Sequence, residues 1–125
     1  MLTIEKLTEA EELVMKCVWD MKKRPTLGDV AERTVEVYGK DWKPQTVSTY
    51  LSKLCSKKYL KLHRNGKVYT YETLIKESAY RRKLYRQHIS FWNQNDPASF
   101  IAEMIKNGDL SEKDITEALN NTQQN

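Results

Sequence analysis

Lys43 to Lys58 reads KPQTVSTYLSKLCSKK. Val47, Tyr50, Leu51 and Leu54 recur at the i, i+3, i+4, i+7 spacing of an apolar helical stripe. The opposite face carries Lys43, Gln45, Thr46, Ser48, Thr49, Ser52 and Lys53. That face offers short hydroxyls, one amide and two ammoniums, and no carboxylate. Pro44 suits the first helical position, where its missing N–H costs nothing. Ser and Thr are mediocre helix formers, so a merely solvated face would more often carry Glu and Lys. Small donors and acceptors on a helix with basic ends match a DNA major groove, where base edges present hydrogen-bonding groups and the thymine methyl.

Upstream, Thr8 and Glu11 form a capping box that opens a first helix. Ala10, Leu13, Val14, Cys17, Val18 and Met21 give it an apolar stripe, with Trp19 partly off it, and Arg24-Pro25 is expected to stop it. Thr26 and Asp29 form a second capping box. Val30, Ala31, Thr34, Val35 and Tyr38 are expected on the inner face of this second helix, which Gly39 ends. Two helices followed by 43–58 make a helix-turn-helix unit.

Downstream, the period changes. Residues 59–64 and 67–73 are β-branched or aromatic runs separated by Asn65-Gly66, the signal for a type I′ hairpin. A hairpin directly after such a helix is a wing. Lys61, His63, Arg64 and Lys67 cluster near its tip, where cations reach phosphates. Of these, Arg64 and Lys67 are the candidate contacts, and His63 is read as an ordinary strand residue.

From Lys76 the helical period returns, with Tyr80, Leu84, His88 and Trp92 spaced by four. Asp96-Pro97 starts another helix, striped by Phe100, Ile101, Met104 and Ile105 and closed by Asn107-Gly108. Ser111 and Asp114 open the last one, with Ile115, Ala118 and Leu119, and residues 120–125 are expected to fray. The fold class is therefore mainly α with one small β-hairpin: a winged helix-turn-helix domain over 1–75 and a helical dimerisation domain over 76–125. About 50 residues cannot comfortably close a second core alone. A second copy is the simplest cover, through Tyr80, Leu84, His88, Trp92, Phe100, Met104, Ile115 and Leu119.

Charge follows the same division. Residues 40–75 hold eight basic and two acidic side chains, and 76–95 hold five and one. Residues 1–39 hold six and eight, and 96–125 hold two and six. Positive charge gathered around 43–58 is the footprint of a polyanion partner.

Cys17 and Cys55 belong to no CxxC or zinc spacing and read as buried, reduced thiols. Residues 1–25 lack a signal-peptide apolar run, and no window approaches bilayer length. A cytoplasmic protein that does not engage the membrane is expected. Catalysis has little to work with: the histidines are His63 and His88, and no HExxH, GxSxG or P-loop pattern occurs. No catalytic residue, metal or cofactor is expected, and the protein is not expected to be an enzyme.

Three segments, LTEAEELVMKCVW (7–19), WKPQTVSTYLSKL (42–54) and KLHRNGKVYTYETL (61–74), resemble the penicillinase-repressor family, which includes methicillin-resistance and copper-transport repressors. The resemblance spans essentially the whole chain. It implies a homodimeric winged-helix repressor that binds a short double-stranded DNA dyad rich in TACA/TGTA through the third helix and the wing. It implies that Lys43, Gln45, Thr46, Ser48, Thr49 and Lys53 face DNA, and that the C-terminal helices interlock. Three departures stand out. Ser48 occupies a position where family members often carry Arg, and a Ser cannot hold guanine by two bonds. The chain ends NNTQQN rather than in a cysteine-rich tail, so copper sensing by that device is not expected. The family's release signal is a protease that cuts an Asn-Phe bond. The resemblance puts that bond at Glu103-Met104, and the chain has no Asn-Phe pair. Release by another cleavage, a small effector or a partner protein is expected instead, or plain autoregulation.

Two other functions compete: a winged helix used as a protein-interaction module, and a nucleic-acid binder without sequence choice. The short hydroxyls favour base readout, since a protein-docking helix should expose aromatic or aliphatic groups.

Overall fold

The computed structural model describes residues 4–123. The elements are α1 (Glu9–Asp20), α2 (Leu27–Glu36), α3 (Pro44–Ser56), β1 (Leu60–Asn65), β2 (Val68–Thr73), α4 (Glu77–Trp92), α5 (Pro97–Lys106) and α6 (Glu112–Gln123). The backbone divides into two compact units that meet inside α4, between Arg81 and Arg82.

In the first unit, α1, α2 and α3 pack on one another and α3 packs on β1. Both capping boxes form. The Thr8 N–H donates to Glu11 Oε1 at 2.8 Å and the Glu11 N–H to Thr8 Oγ1 at 3.2 Å, and Thr26 and Asp29 repeat the exchange. The enclosed core includes Val14, Met15, Val30, Val47, Leu51, Leu54 and Tyr59. Tyr80, from the first turn of α4, closes it. Its ring lies 5.8 Å from that of Tyr59 and 5.5 Å from that of Trp19. Its hydroxyl donates to Glu12 Oε2 at 2.6 Å, and the Trp19 indole N–H donates to the Ile75 carbonyl at 2.9 Å.

Several local expectations shift. α1 ends at Asp20, before Arg24-Pro25. Asp20 accepts from Arg33 and from the Tyr38 hydroxyl, which ties the end of α1 to α2 and its closing turn. Val35 is exposed rather than inward: Val30, Ala31 and Thr34 fill the inner arc, and Val35 lies one helical step beyond it. Cys17 is buried, and burial pushes its thiol up to about 11; Cys55 is only half-buried. The hairpin turn moves by one residue. Asn65 pairs with Val68, so the two-residue loop is Gly66-Lys67. Gly66 has φ +68° and Lys67 is not left-handed. Glycine at the first loop position marks a type II′ turn, not the expected type I′.

In the second unit, the Asp96 carboxylate caps α5 by accepting the Ala98 N–H at 3.1 Å, and Gly108 closes it at φ +81°. Ser111 and Asp114 form the expected capping box of α6. α6 runs to Gln123, so residues 120–123 are helical rather than frayed; 124 and 125 lie outside the described residues. Neither α5 nor α6 has a buried residue. Among the described residues from Arg82 on, Asn93 alone is buried.

Candidate nucleic-acid interface

The apolar stripe of α3 sinks completely: Val47, Leu51 and Leu54 are each 0% exposed. The helix is thereby fixed in rotation, and Lys43, Gln45, Thr49, Ser52 and Lys53 are exposed while Thr46 and Ser48 are half-buried. Lys43 is the N-cap residue, and its donor-only ammonium, which cannot cap the helix N–H groups, is exposed. The Thr49 hydroxyl donates to the Gln45 carbonyl at 3.1 Å. Its proton is committed, and what it offers outward is a methyl group and acceptor lone pairs.

The far end of α3 is anchored by charge. Lys57, its C-cap residue, donates to Glu11 Oε1 at 2.7 Å. Glu11 is 2% exposed, so the α1 capping carboxylate also holds the recognition-like helix in place. Burial alone would raise the Glu11 pKa; the Lys57 ammonium and the Thr8 N–H and hydroxyl outweigh it and hold the carboxyl below its ordinary range.

Two neighbours of this face, Lys40 and Trp42, were not among the sequence candidates. Tyr50, expected to be inward, is only half-buried and stacks on Trp42 at 5.3 Å between centroids. Lys40 lies 5.6 Å from the Trp42 ring centroid, and Lys53 lies 5.8 Å from that of Tyr50. The two rings thus prop two ammoniums beside the polar face of α3. The signal was present as KDW before the helix and YLSK within it, but the stack needs the loop to fold back.

On the wing, Arg64 and Lys67 are exposed. Arg64 folds over the turn: its Nε–H donates to the Gly66 carbonyl at 2.9 Å, and its guanidinium lies 5.6 Å from the Tyr69 ring centroid. His63 pairs with Glu72 across the strands at 2.7 Å, and Arg24 reaches the other Glu72 oxygen at 3.4 Å. Glu72 therefore links the wing to the loop before α2. The α3 set and the wing set belong to one unit, with α3 leading through residues 57–59 into β1.

The residues expected to meet a second chain lie elsewhere. Trp92 is 66% and Leu119 55% exposed; Leu84, Phe100, Met104 and Ile115 are half-buried. His88 is exposed, with its ring 5.1 Å from Phe100. Phe91, at 73%, Ile101 and Ile105 extend the same apolar exposure. Tyr80 departs from this set: at 2% exposure it is a core residue of the first unit and has no surface to give a partner. No helix of the described residues is long and apolar enough to cross a membrane, and among those residues no group of three or more His, Cys, Asp or Glu side chains is placed to hold a metal.

Known proteins resemble this chain. The chain is 27% identical to the methicillin resistance regulatory protein MecI of Staphylococcus aureus (strain N315), over 91% of this chain and 90% of that protein. It is 27% identical to the penicillinase repressor of Bacillus licheniformis, over 94% and 89%. These relatives are named as regulators and repressors, not as enzymes. Two solved structures superpose on the chain at 31% identity, each over 64% of this chain and 94% of the other. One is the DNA-binding domain of the repressor BlaI, with a TM-score of 0.53. The other is the monomeric form of Bacillus licheniformis BlaI in complex with the blaP half-operator, with a TM-score of 0.52. The fold of the first unit is thus a winged helix. The profile of the family described as penicillinase repressor matches residues 7–124, and the chain belongs to that family.

Proposed function

We propose that the protein is a homodimeric, sequence-specific DNA-binding transcriptional repressor of the cytoplasm. The observation that carries this reading is α3. Its apolar residues are wholly enclosed, and the face left outside holds hydroxyls, an amide and lysines with no carboxylate. The related BlaI bound to a half-operator supports it. In this reading Thr46, Ser48, Thr49 and Gln45 read base edges, while Lys43, Lys53, Arg64 and Lys67 hold phosphates. Lys40 joins the phosphate group through its place over Trp42. With Ser48 in place of an arginine, the half-site differs from a TACA/TGTA dyad at the base pair that Ser48 faces.

The dimer is formed by the region 76–125 and the DNA contacts by 1–75. Support comes from the second unit: α5 and α6 have no buried residue, and two adjacent aromatic rings, Phe91 and Trp92, stand in solvent. Such a unit gains its core from a second copy. Two linked half-site contacts then exceed one domain's affinity by orders of magnitude. Glu103 and Met104 lie within α5 and offer no Asn-Phe bond, so release proceeds without a protease of that preference.

A mobility-shift titration against the DNA upstream of the chain's own gene, with random DNA as competitor, tests the reading. Retention on the upstream fragment under competition is expected. Equal competition by random DNA would reduce the protein to a non-specific binder, and no shift at low salt would leave only a protein-docking module.

A further inference from the structure

We propose that Asn65 is a self-modification site. The Gly66 backbone nitrogen attacks the Asn65 side-chain amide, and the wing tip gains a negative charge that weakens its hold on DNA. The chemistry balances with solvent alone. The Gly66 nitrogen gives its proton to solvent base and bonds to Cγ of Asn65. The Cγ–Nδ2 bond breaks, ammonia leaves, and a five-membered succinimide closes. Water then opens the imide at either carbonyl. The product is an aspartate or, with the main chain rerouted through the side chain, an isoaspartate.

The chain contains two Asn-Gly steps, Asn65-Gly66 and Asn107-Gly108. Both glycines stand in open space, since an added Cβ at either would meet nothing within 4 Å. Crowding therefore does not separate them, but hydrogen bonding does. The Gly108 N–H donates to the Ile105 carbonyl at 3.1 Å in the closing turn of α5, so that nitrogen is engaged. The Gly66 N–H sits at the first loop position of the hairpin and makes no hydrogen bond to a described residue. Electrostatics separates them further. Arg64 is held over the turn by its 2.9 Å bond to the Gly66 carbonyl, and Lys67 follows directly. Fixed positive charge favours an anionic nitrogen and the oxyanion of its addition product. Asn107 instead stands between Lys106 and, beyond Gly108, the carboxylate of Asp109.

The consequence for DNA rests on the repressor reading above. A carboxylate at position 65 lies one residue from Arg64 and two from Lys67, the cations assigned to phosphates. It repels the DNA backbone and competes for the arginine. The isoaspartate form also adds a main-chain carbon to a two-residue hairpin, which breaks its register.

The test ages the full-length chain in mildly alkaline buffer and maps Asn, Asp and isoAsp at both positions by peptide mass spectrometry and chromatography. Asn65 is expected to convert roughly tenfold faster than Asn107, the scale on which one retained backbone hydrogen bond slows a local reaction. Aged protein is then compared with fresh in mobility shifts over a range of salt. Its salt dependence is expected to be shallower by about one charge. An Asn65→Gln chain, whose side chain would have to close a larger ring, should bind like the fresh parent before and after ageing. An intact Asn65, or Asn107 converting as fast, overturns the proposal. Full conversion at Asn65 with unchanged DNA binding overturns its consequence. If the fresh parent binds no DNA, the repressor reading fails, and the relative conversion of the two asparagines still decides the chemistry.

Discussion

The two units of this chain are built to opposite accounts of their own apolar surface. The first encloses Val14, Met15, Val47, Leu51 and Leu54 completely and uses a residue from α4, Tyr80, to finish the job. The second, beyond Arg81, encloses only Asn93 among its described residues and leaves Phe91 and Trp92 in solvent. Three helices joined by short loops have the means to fold together, yet α4, α5 and α6 make little contact with one another in a single chain. Helices of this length are marginal without tertiary packing. The contrast teaches that good caps and clear apolar stripes make a helix without making a core.

The sharpest way to break this comparison is to exchange the same deletion between the units. Leu51→Ala should cost about 2–5 kcal/mol of unfolding free energy, as for leucines in closed cores. Leu119→Ala should change the stability of dilute protein by less than about 0.5 kcal/mol, as surface substitutions do. Urea titration followed by circular dichroism reads both. A comparable loss from Leu119 would show that the second unit carries a core of its own.

Association supplies the next effect. Trp92→Ala should weaken self-association by about 2 kcal/mol or more if that ring anchors the interface. Sedimentation at micromolar concentration should find the parent at twice its 14.7 kDa chain mass and the variant shifted toward one. A parent that sediments as a monomer would leave the exposed stripe unexplained by a second copy.

Within the first unit, base contacts and phosphate contacts should separate. Thr46→Ala should change the preference at one base pair by about 1–3 kcal/mol while random DNA is held as before. Equal losses on both would move Thr46 to the backbone class. Lys53→Ala, and Trp42→Ala through the Lys40 ammonium it props, should each flatten the salt dependence by about one charge. A Trp42→Ala chain with unaltered salt dependence would show that the ring stack serves packing alone.

The smallest effect concerns acid. The Glu11 carboxyl is held below its ordinary range against the effect of burial, by Lys57 and the Thr8 cap. Its contribution to stability is therefore full above the ordinary glutamate value and is lost as pH falls through the lowered one. Glu11→Gln should flatten the acid side of the stability curve. If the curve keeps its shape, Asp20, which Tyr38, Lys16 and Arg33 hold low against the effect of its own burial, carries that dependence instead.

Much of this was legible in the amino-acid order because it is local. The capping boxes at Thr8, Thr26 and Ser111 join groups three residues apart, and the stripe Val47, Leu51, Leu54 needs only the helical period. The side of α3 left exposed followed from those three residues alone. Other features needed the folded chain. Glu11 was readable as a cap, but its bond to Lys57 joins residues 46 positions apart. Tyr80 continued the α4 stripe by spacing, and only the pocket between Trp19 and Tyr59 drew it into the first core. The hairpin turn moved from Asn65-Gly66 to Gly66-Lys67 because pairing of whole strands sets the register, and Tyr71 is drawn against the core with its N–H on the Pro25 carbonyl. Short-range hydrogen bonds and periodicity are properties of the sequence itself. Which stripe becomes core, and which stays exposed, is decided when distant elements compete to cover them.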